Sequence, residues 1–233
     1  PSSLNELDFK NSPEVAAFTW NQVNGREDND KLLVGISANL HYNSSWKQQI
    51  IVFGNYYSAK EFRPFNDLDD DSRRLGFRTL LEFEQNRLKL QVVSEAFLER
   101  YNASLFQQGT DTLLSEFEEE RTPLNIGLQA GYQLHENWYA EAGVSTNFLR
   151  YRIIDITTVK EPEEFSYATI ISPFVGLNFS ATDHLSFFAS LGHGFSYPSV
   201  QETLLPEGIR NPNLKPEMGL TQEIGIRYAS QSN

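Results

Sequence analysis

The sequence predicts an all-β fold, an antiparallel transmembrane β-barrel segment of about nine or ten meandering strands. Three observations predict it: polar and apolar side chains alternate with a period of two, the alternating segments come in pairs, and aromatic residues gather near segment ends. Aromatic residues make up 13% of the chain and hydrophobic residues 39%, a mixture that suits strands with one wet face. The apolar runs are far shorter than the roughly 18 residues of a membrane helix.

The clearest hairpin joins residues 126–134 to residues 138–148 through a short turn. Its first strand carries Ile126 and Leu128 on one face and Gln129 and Gln133 on the other. Because side chains in a strand point to opposite faces in turn, this pattern indicates one apolar and one polar face.

The same pattern recurs on both sides of this hairpin. Predicted pairs join residues 32–41 to 46–57, residues 75–83 to 88–98, and residues 167–179 to 185–195. Runs at residues 14–23 and 220–228 complete the count of about ten strands.

The predicted connections alternate in length. Tight turns fall near residues 43, 85, 136 and 182, and longer polar stretches fall at residues 59–71, 101–121, 158–165 and 198–216. Such asymmetry is typical of outer-membrane barrels, which have short periplasmic turns and long extracellular loops. The acidic runs at residues 67–71 and 116–120 are interpreted as solvated parts of these loops.

Aromatic residues near the strand ends predict girdles at the two membrane interfaces. The residues concerned are Tyr42, Trp46, Tyr56, Tyr57, Phe83, Trp138, Tyr151, Phe179 and Tyr228.

Composition and motifs exclude several functions. A net charge of -12 argues against nucleic-acid binding, which depends on clustered Lys and Arg. The chain has no cysteine, and its four histidines are too dispersed for a local metal motif. No nucleophile elbow, phosphate loop or dinucleotide motif is present. We therefore expect no enzyme, no metal site and no bound cofactor.

The most specific part of the sequence is residues 185–228. A strand of small and aromatic residues ends in a Gly-Phe-x-x-Pro element, a loop leads to Asn-Pro-x-Leu-Lys-Pro-Glu, and an E-x-G strand follows. The residues that carry the pattern are Gly194, Phe195, Pro198, Asn211, Pro212, Leu214, Lys215, Pro216, Glu217, Glu223 and Gly225. This order and spacing resemble the barrel signature of TonB-dependent outer-membrane receptors.

The resemblance implies a location in the outer membrane of a Gram-negative bacterium. Residues 1–233 would form part of a β-barrel domain of about 22 strands, with the plug domain and C-terminal strands outside the sequence. In isolation we expect a curved open sheet with two unpaired edges. The implied partners are outer-membrane lipid, the receptor's own plug, a small-molecule ligand and the TonB energy-transducing complex.

The signature residues are interpreted as organising the loop and the entry to the next strand, because the two prolines fix φ and withhold backbone donors. Five further residues are predicted to face the lumen or the ligand: His193, Arg78, Glu141, Asn147 and Arg227.

The resemblance implies active import, with a ferric siderophore as the expected cargo and haem, cobalamin or a glycan as other candidates. Two alternatives stay open at this point: a passive porin or structural barrel, and a soluble all-β module that binds carbohydrate.

Overall fold

The computed structural model of the chain describes residues 4–158, 161–199, 202, 211 and 213–229. Its strands form one antiparallel sheet in which neighbours along the chain pair with one another. The strands are β1 Arg26–His41, β2 Trp46–Phe62, β3 Asn66–Gln85, β4 Leu88–Gln107, β5 Leu113–His135, β6 Trp138–Asp155, β7 Glu163–Ser166, β8 Ile170–Ser180, β9 Leu185–Ser196 and β10 Glu217–Tyr228.

Among the described residues the sheet is not closed. Its order runs from β1 to β10, with β1 and β10 at the two edges. The short β7 pairs with residues 150–153 of β6, and β8 pairs with residues 138–147 of the same strand. The predicted all-β open antiparallel sheet is thereby confirmed. No helix among the described residues is long and apolar enough to cross a membrane.

The predicted strand at residues 14–23 is wrong. Two short helices, α1 Glu6–Asn11 and α2 Phe18–Gln22, precede β1 instead. Asn5 caps α1 by accepting a 2.8 Å hydrogen bond from the Asp8 amide, and this local side-chain bond favours a helix over an extended segment. The count of ten is reached through β7, which lies in a stretch predicted to be a loop.

Two of the predicted long loops are also wrong, because the strands continue through them. β3 has 20 residues and β5 has 23, so both extend far beyond the roughly 10 residues that cross a membrane. The connections left between strands are residues 63–65 and 108–112. Charged residues occupy both faces in these polar stretches, so hydropathy alone does not reveal the alternation.

The tight turns are in the predicted places and are fixed by local chemistry. The Asn43 side chain accepts from the amides of Ser45 and Trp46, both at 2.9 Å, and Asn86 takes a positive φ of 54° between β3 and β4. Asn tolerates this left-handed conformation better than most residues. We call this end of the sheet the turn end and the opposite end the loop end.

The two faces of the sheet differ in chemistry. The inner face carries Arg78, Glu95, Asn125 and other polar side chains, and the outer face exposes apolar residues near the turn end. The exposed outer residues include Leu75, Val92, Ile126, Leu128, Val144 and Val175. Farther toward the loop end, the outer face becomes charged.

Aromatic rings mark the turn end of the outer face. Trp46 lies 4.9 Å from Phe83 and Trp138 lies 4.6 Å from Phe179, between ring centroids. These pairs agree with the predicted girdle. Tyr151 does not, because it is fully buried on the inner face.

Candidate ligand passage

The inner face near the turn end is organised by polar pairs across neighbouring strands. Arg78 in β3 is directly opposite Glu95 in β4, and their side chains form an ion pair. Four residues farther toward the loop end, Arg74 Nε lies 2.7 Å from Glu99 Oε1. Directly opposite residues on one face are close enough for such pairs to form without distorting the sheet.

A shallow concavity of about 370 Å³ lies on this face between β4 and β8. Glycine at positions 127 and 143 leaves its floor low, and polar side chains line it together with Val93 and Phe174. The polar lining includes Gln91, Glu95, Asn125, Gln129, Asn147 and Ser172. The arrangement offers amide, carboxylate and hydroxyl groups to a polar molecule or to another protein segment.

The inner face near the loop end is packed instead of open. Glu119 and Tyr151 are 0% exposed and Arg121 is 8% exposed. Glu119 and Arg121 form an ion pair, and the Arg121 guanidinium lies 4.6 Å from the centroid of the Tyr151 ring. These three residues form what we call the buried clasp.

Burial controls the ionisation of the buried clasp. It raises the pKa of Glu119 to about 7, and this effect outweighs the opposing influence of the Arg121 cation. The second carboxyl oxygen of Glu119 has no hydrogen-bond partner among the described residues, which adds to the desolvation. Glu119 therefore changes charge near neutral pH.

The segment after β9 crosses the inner face and contacts this clasp. Arg121 Nη1 donates a 2.8 Å hydrogen bond to the carbonyl of Pro198, and Tyr197 donates from its hydroxyl to the Asn147 carbonyl at 3.2 Å. The Tyr197 ring also stacks on Tyr167 at 5.7 Å. The start of the long β9 to β10 connection is thus attached to β5 and β6.

Three of the five residues predicted to face the lumen lie together on the inner face. Arg78 pairs with Glu95, Glu141 accepts a 2.8 Å hydrogen bond from Gln129, and Asn147 is buried beside the Ile170 carbonyl at 3.3 Å. Glu95, Gln129 and Asn147 all border the concavity. A role in contacting plug or ligand stays a prediction for this group.

The other two residues lie farther along the sheet. Arg227 is opposite Ser186 on β9, and its guanidinium lies 5.9 Å from the centroid of the Phe188 ring. His193 pairs with Leu220 in register, and its Nδ1 is 3.3 Å from Ser172 Oγ, just past the point where β8 and β9 stop pairing. Neither residue borders the concavity.

The signature residues divide into two structural groups. Gly194 and Phe195 lie near the end of β9, opposite Gly219 and Met218, and the carbonyl of Pro198 accepts the hydrogen bond from Arg121. Pro212 lies outside the described residues.

The second signature group leads into the edge strand. Asn211 accepts a 3.1 Å bond from the Asn213 amide and a 3.3 Å bond from the Leu214 amide, Lys215 and Pro216 follow, and β10 begins at Glu217. Farther along β10, Glu223 is opposite Ser190, and the Phe188 ring covers Gly225. A side chain at Gly225 would collide with that ring.

The buried clasp is the part of the inner face that sequence reasoning missed. Residues 116–120 were interpreted as a solvated acidic loop, yet they belong to β5 and Glu119 is fully buried. A signal was present in the alternation of Phe117, Glu119 and Arg121 against Glu118 and Glu120, which places the odd-numbered residues on one face. The same holds for Asp70, buried in β3 where a solvated acidic loop was expected, which accepts a 2.8 Å hydrogen bond from Tyr101.

An open antiparallel sheet with a polar inner face, an apolar outer band and an aromatic belt defines a section of a transmembrane barrel wall. Residues 4–233 match the family model described as TonB dependent receptor-like, beta-barrel. The chain belongs to this family, whose members are receptors and transporters of the Gram-negative outer membrane and not enzymes. The turn end is accordingly periplasmic and the loop end extracellular.

Similar proteins carry different cargoes. Over 112 residues the chain is 25% identical to the vitamin B12 transporter BtuB of Vibrio vulnificus (strain YJ016), which is 48% of this chain and 18% of the relative. The ferric citrate transporter FecA in its unliganded form has a TM-score of 0.69 at 16% identity, covering 98% of this chain and 36% of that one.

Two further solved structures share the fold. The copper transporter OprC matches with a TM-score of 0.68 at 16% identity, covering 88% of this chain and 38% of its own. The alcaligin receptor FauA of Bordetella pertussis matches with a TM-score of 0.67 at 15% identity, covering 88% and 34%. The chain therefore spans about a third of the solved receptors and less than a fifth of the B12 transporter.

Proposed function

We propose that this chain is part of the wall of an active outer-membrane importer, and that its cargo is a ferric siderophore. The observation that carries the proposal is the match of residues 4–233 to the TonB-dependent receptor barrel, together with the polar inner face that such a passage needs. No chemical step is assigned to the protein. Capture by the extracellular end and movement of a plug, driven by the TonB complex, account for transport.

Among the solved relatives, a ferric citrate transporter and an alcaligin receptor support an iron chelate as cargo. Their identities of 16% and 15% support the fold alone, so the cargo rests on the frequency of iron chelates among such receptors. In this role the concavity around Asn125 and Gln129 would contact the plug or the cargo through amide groups.

Cobalamin is the second candidate cargo. The observation in its favour is the 25% identity over 112 residues to a vitamin B12 transporter, which is a relationship of sequence and not of fold alone. A passive porin and a soluble carbohydrate-binding module are disfavoured, because neither accounts for the family match.

The test is uptake by cells that carry the full-length parent protein or its deletion. Radiolabelled ferric siderophore and labelled cyanocobalamin are supplied separately, with and without a protonophore that removes the energy for TonB. Loss of energy-dependent iron uptake in the deletion supports a siderophore importer. Loss of cobalamin uptake alone would identify cobalamin as the cargo. Uptake that is unchanged by the protonophore would contradict active import.

A matched pair of variants tests the passage itself. Gly127→Trp places a large ring over the inner concavity, and Leu128→Trp places the same ring on the adjacent outer position, which is 52% exposed. We expect Gly127→Trp to lose most uptake and Leu128→Trp to keep it, because lipid accepts an aromatic ring. Equal uptake by the two variants would contradict the assignment of the inner face.

A further inference from the structure

Two arginines face each other on the outer surface of the barrel wall. Arg73 in β3 and Arg100 in β4 are direct cross-strand partners. Their side chains are 68% and 51% exposed, so both are open to the surroundings of the barrel. Like charges directly opposite one another destabilise a sheet. The pairing of two arginines therefore costs stability that some other interaction must offset.

The next cross-strand partners, in β5 and β6, carry charges of alternating sign. Arg100 is opposite Glu120, and Glu120 is opposite Arg152, so charges of opposite sign alternate from β4 to β6. The ion pairs follow this order, with Arg100 Nη2 2.5 Å from Glu120 and Arg152 Nη1 3.0 Å from Glu120. Arg100 Nε also lies 3.6 Å from a carboxyl oxygen of Glu118 on the same face. The repeated positive charge at Arg73 breaks the alternation.

Arg73 keeps hydrogen-bonding capacity. Among the described residues its one ion pair is a 3.4 Å contact from Nε to Asp71, which leaves the two terminal amino groups of the guanidinium outside this pair. A guanidinium carries five N–H donors in a planar fork that matches the oxygens of a phosphate.

A concavity of about 540 Å³ lies beside the two arginines. It is lined on the outer face by Leu75, Leu98, Glu120 and Thr122 as well as by Arg73 and Arg100, and the Glu120 carboxylate is already held by Arg100 and Arg152. The pairing of β4 with β5 lapses at this point, between the partners Ala96 and Leu124 and the partners Glu99 and Arg121. Pro123 lies in the gap and has no N–H to donate, which explains the break in the ladder.

The position of the concavity along the strands indicates which layer of the membrane it faces. Leu75 and Leu98, which are 55% and 61% exposed, belong to the lipid-facing apolar band, and the arginines follow two residues farther toward the extracellular end. The outer face changes from apolar to charged between these two rows. A lipid of the outer leaflet has its acyl chains at the first level and its headgroup at the second.

We propose that Arg73 and Arg100 bind the headgroup phosphate of an outer-leaflet lipid, with Thr122 as a further hydrogen-bond donor and Leu75 and Leu98 against the acyl chains. A phosphate between the two guanidinium groups turns their mutual repulsion into two charge-assisted contacts. The inference rests on the membrane location and is independent of the cargo.

The experiment uses the full-length parent protein, purified in a mild detergent and titrated with diphosphorylated lipid A while bound lipid is counted by native mass spectrometry. Arg73→Gln/Arg100→Gln is expected to weaken binding at least about tenfold, from the loss of charged hydrogen bonds. The control is Lys60→Gln, which removes a cation from the same face of β2, opposite Asp69 and farther from the apolar band. It is expected to bind as the parent does.

Two further ligands identify the source of the phosphate. Dephosphorylated lipid A is expected to bind parent and double variant equally, and inorganic pyrophosphate is expected to compete poorly. Equal binding of lipid A by the parent and the double variant would overturn the proposal, and so would tight binding of pyrophosphate alone. Arg73→Gln alone replaces the double variant if the latter does not fold, with a smaller loss expected.

Discussion

The two halves of the inner face hold their charged groups in different ways. Near the periplasmic end, Arg78 and Glu95 form an ion pair while their side chains remain 48% and 21% exposed, so water also solvates their charges. Near the extracellular end, Glu119 and Arg121 pair with almost no exposure, under Tyr151 and the segment that contains Pro198. The first half is an open polar wall, and the second is a small protein core built on a barrel wall.

The difference follows from what surrounds each half. The membrane-spanning half has lipid to stabilise its outer apolar residues, so its inner face can remain open and polar. The extracellular half has charged residues outside and lies beyond the acyl chains, and it must bury apolar surface on the inner side to remain ordered. Leu68, Tyr101, Ala103, Phe117 and Ile153 form that buried cluster.

The largest effect is expected from removing the centre of the extracellular core. Tyr151 stacks on Phe165 at 4.7 Å and meets Tyr167 edge-on at 5.3 Å, so Tyr151→Ala should cost about 3–5 kcal/mol through the cavity it leaves. Tyr56→Ala, on the outer face at 38% exposure, is the matched control and should cost less than half as much. Urea unfolding of the full-length protein in vesicles measures both, and equal costs would contradict a buried core.

A smaller, pH-dependent effect is expected from Glu119. Its pKa of about 7 in the folded protein exceeds the ordinary 4.5, so the folded state binds more protons than the unfolded state between these values. Stability should therefore fall as pH rises from about 4.5 to 7, by at most about 3 kcal/mol.

Glu119→Gln should remove that fall, because the amide does not titrate. The measurement is the same urea midpoint taken at pH 5 and pH 8 for parent and variant. Asp155→Asn serves as a control acid on the inner face of β6, whose carboxylate is bound to Thr158. If the urea midpoint of the parent changes between pH 5 and pH 8 by the same amount as that of Glu119→Gln, the pH dependence does not come from Glu119.

The smallest effect is expected in the periplasmic half. Arg78 and Glu95 are partly solvated, and pairs of this kind contribute about 1 kcal/mol or less. A double-mutant cycle with Arg78→Gln and Glu95→Gln measures the coupling directly. A coupling above about 3 kcal/mol would mean that this pair is buried like Glu119 and Arg121, and the contrast between the two halves would disappear.

Sequence reasoning predicted the periplasmic half well because its alternation of apolar and polar residues is strong. The hairpin around residues 135–137 and the turns at Asn43 and Asn86 are where the pattern places them. The signature that runs from Gly194 to Gly225 indicated the family, which the match over residues 4–233 establishes.

The extracellular half escaped prediction for a physical reason. Where lipid is absent, charged residues occupy the outer face and some also lie inside, so Asp70 and Glu119 look like their exposed neighbours in sequence. Strands were therefore mistaken for acidic loops. The contact of Arg121 with Pro198 joins residues 77 positions apart, and no local pattern indicates it.

The central claim is that one face of this sheet meets lipid and the other meets the interior of the barrel. The most direct measurement places single cysteines along residues 124–129 of the full-length protein, labels them with an environment-sensitive fluorophore in outer-membrane vesicles, and adds a lipid-borne quencher. This chain has no cysteine of its own to interfere. We predict strong quenching at Leu124, Ile126 and Leu128 and weak quenching at Asn125, Gly127 and Gln129, whereas uniform quenching, or quenching without this alternation, would contradict the claim.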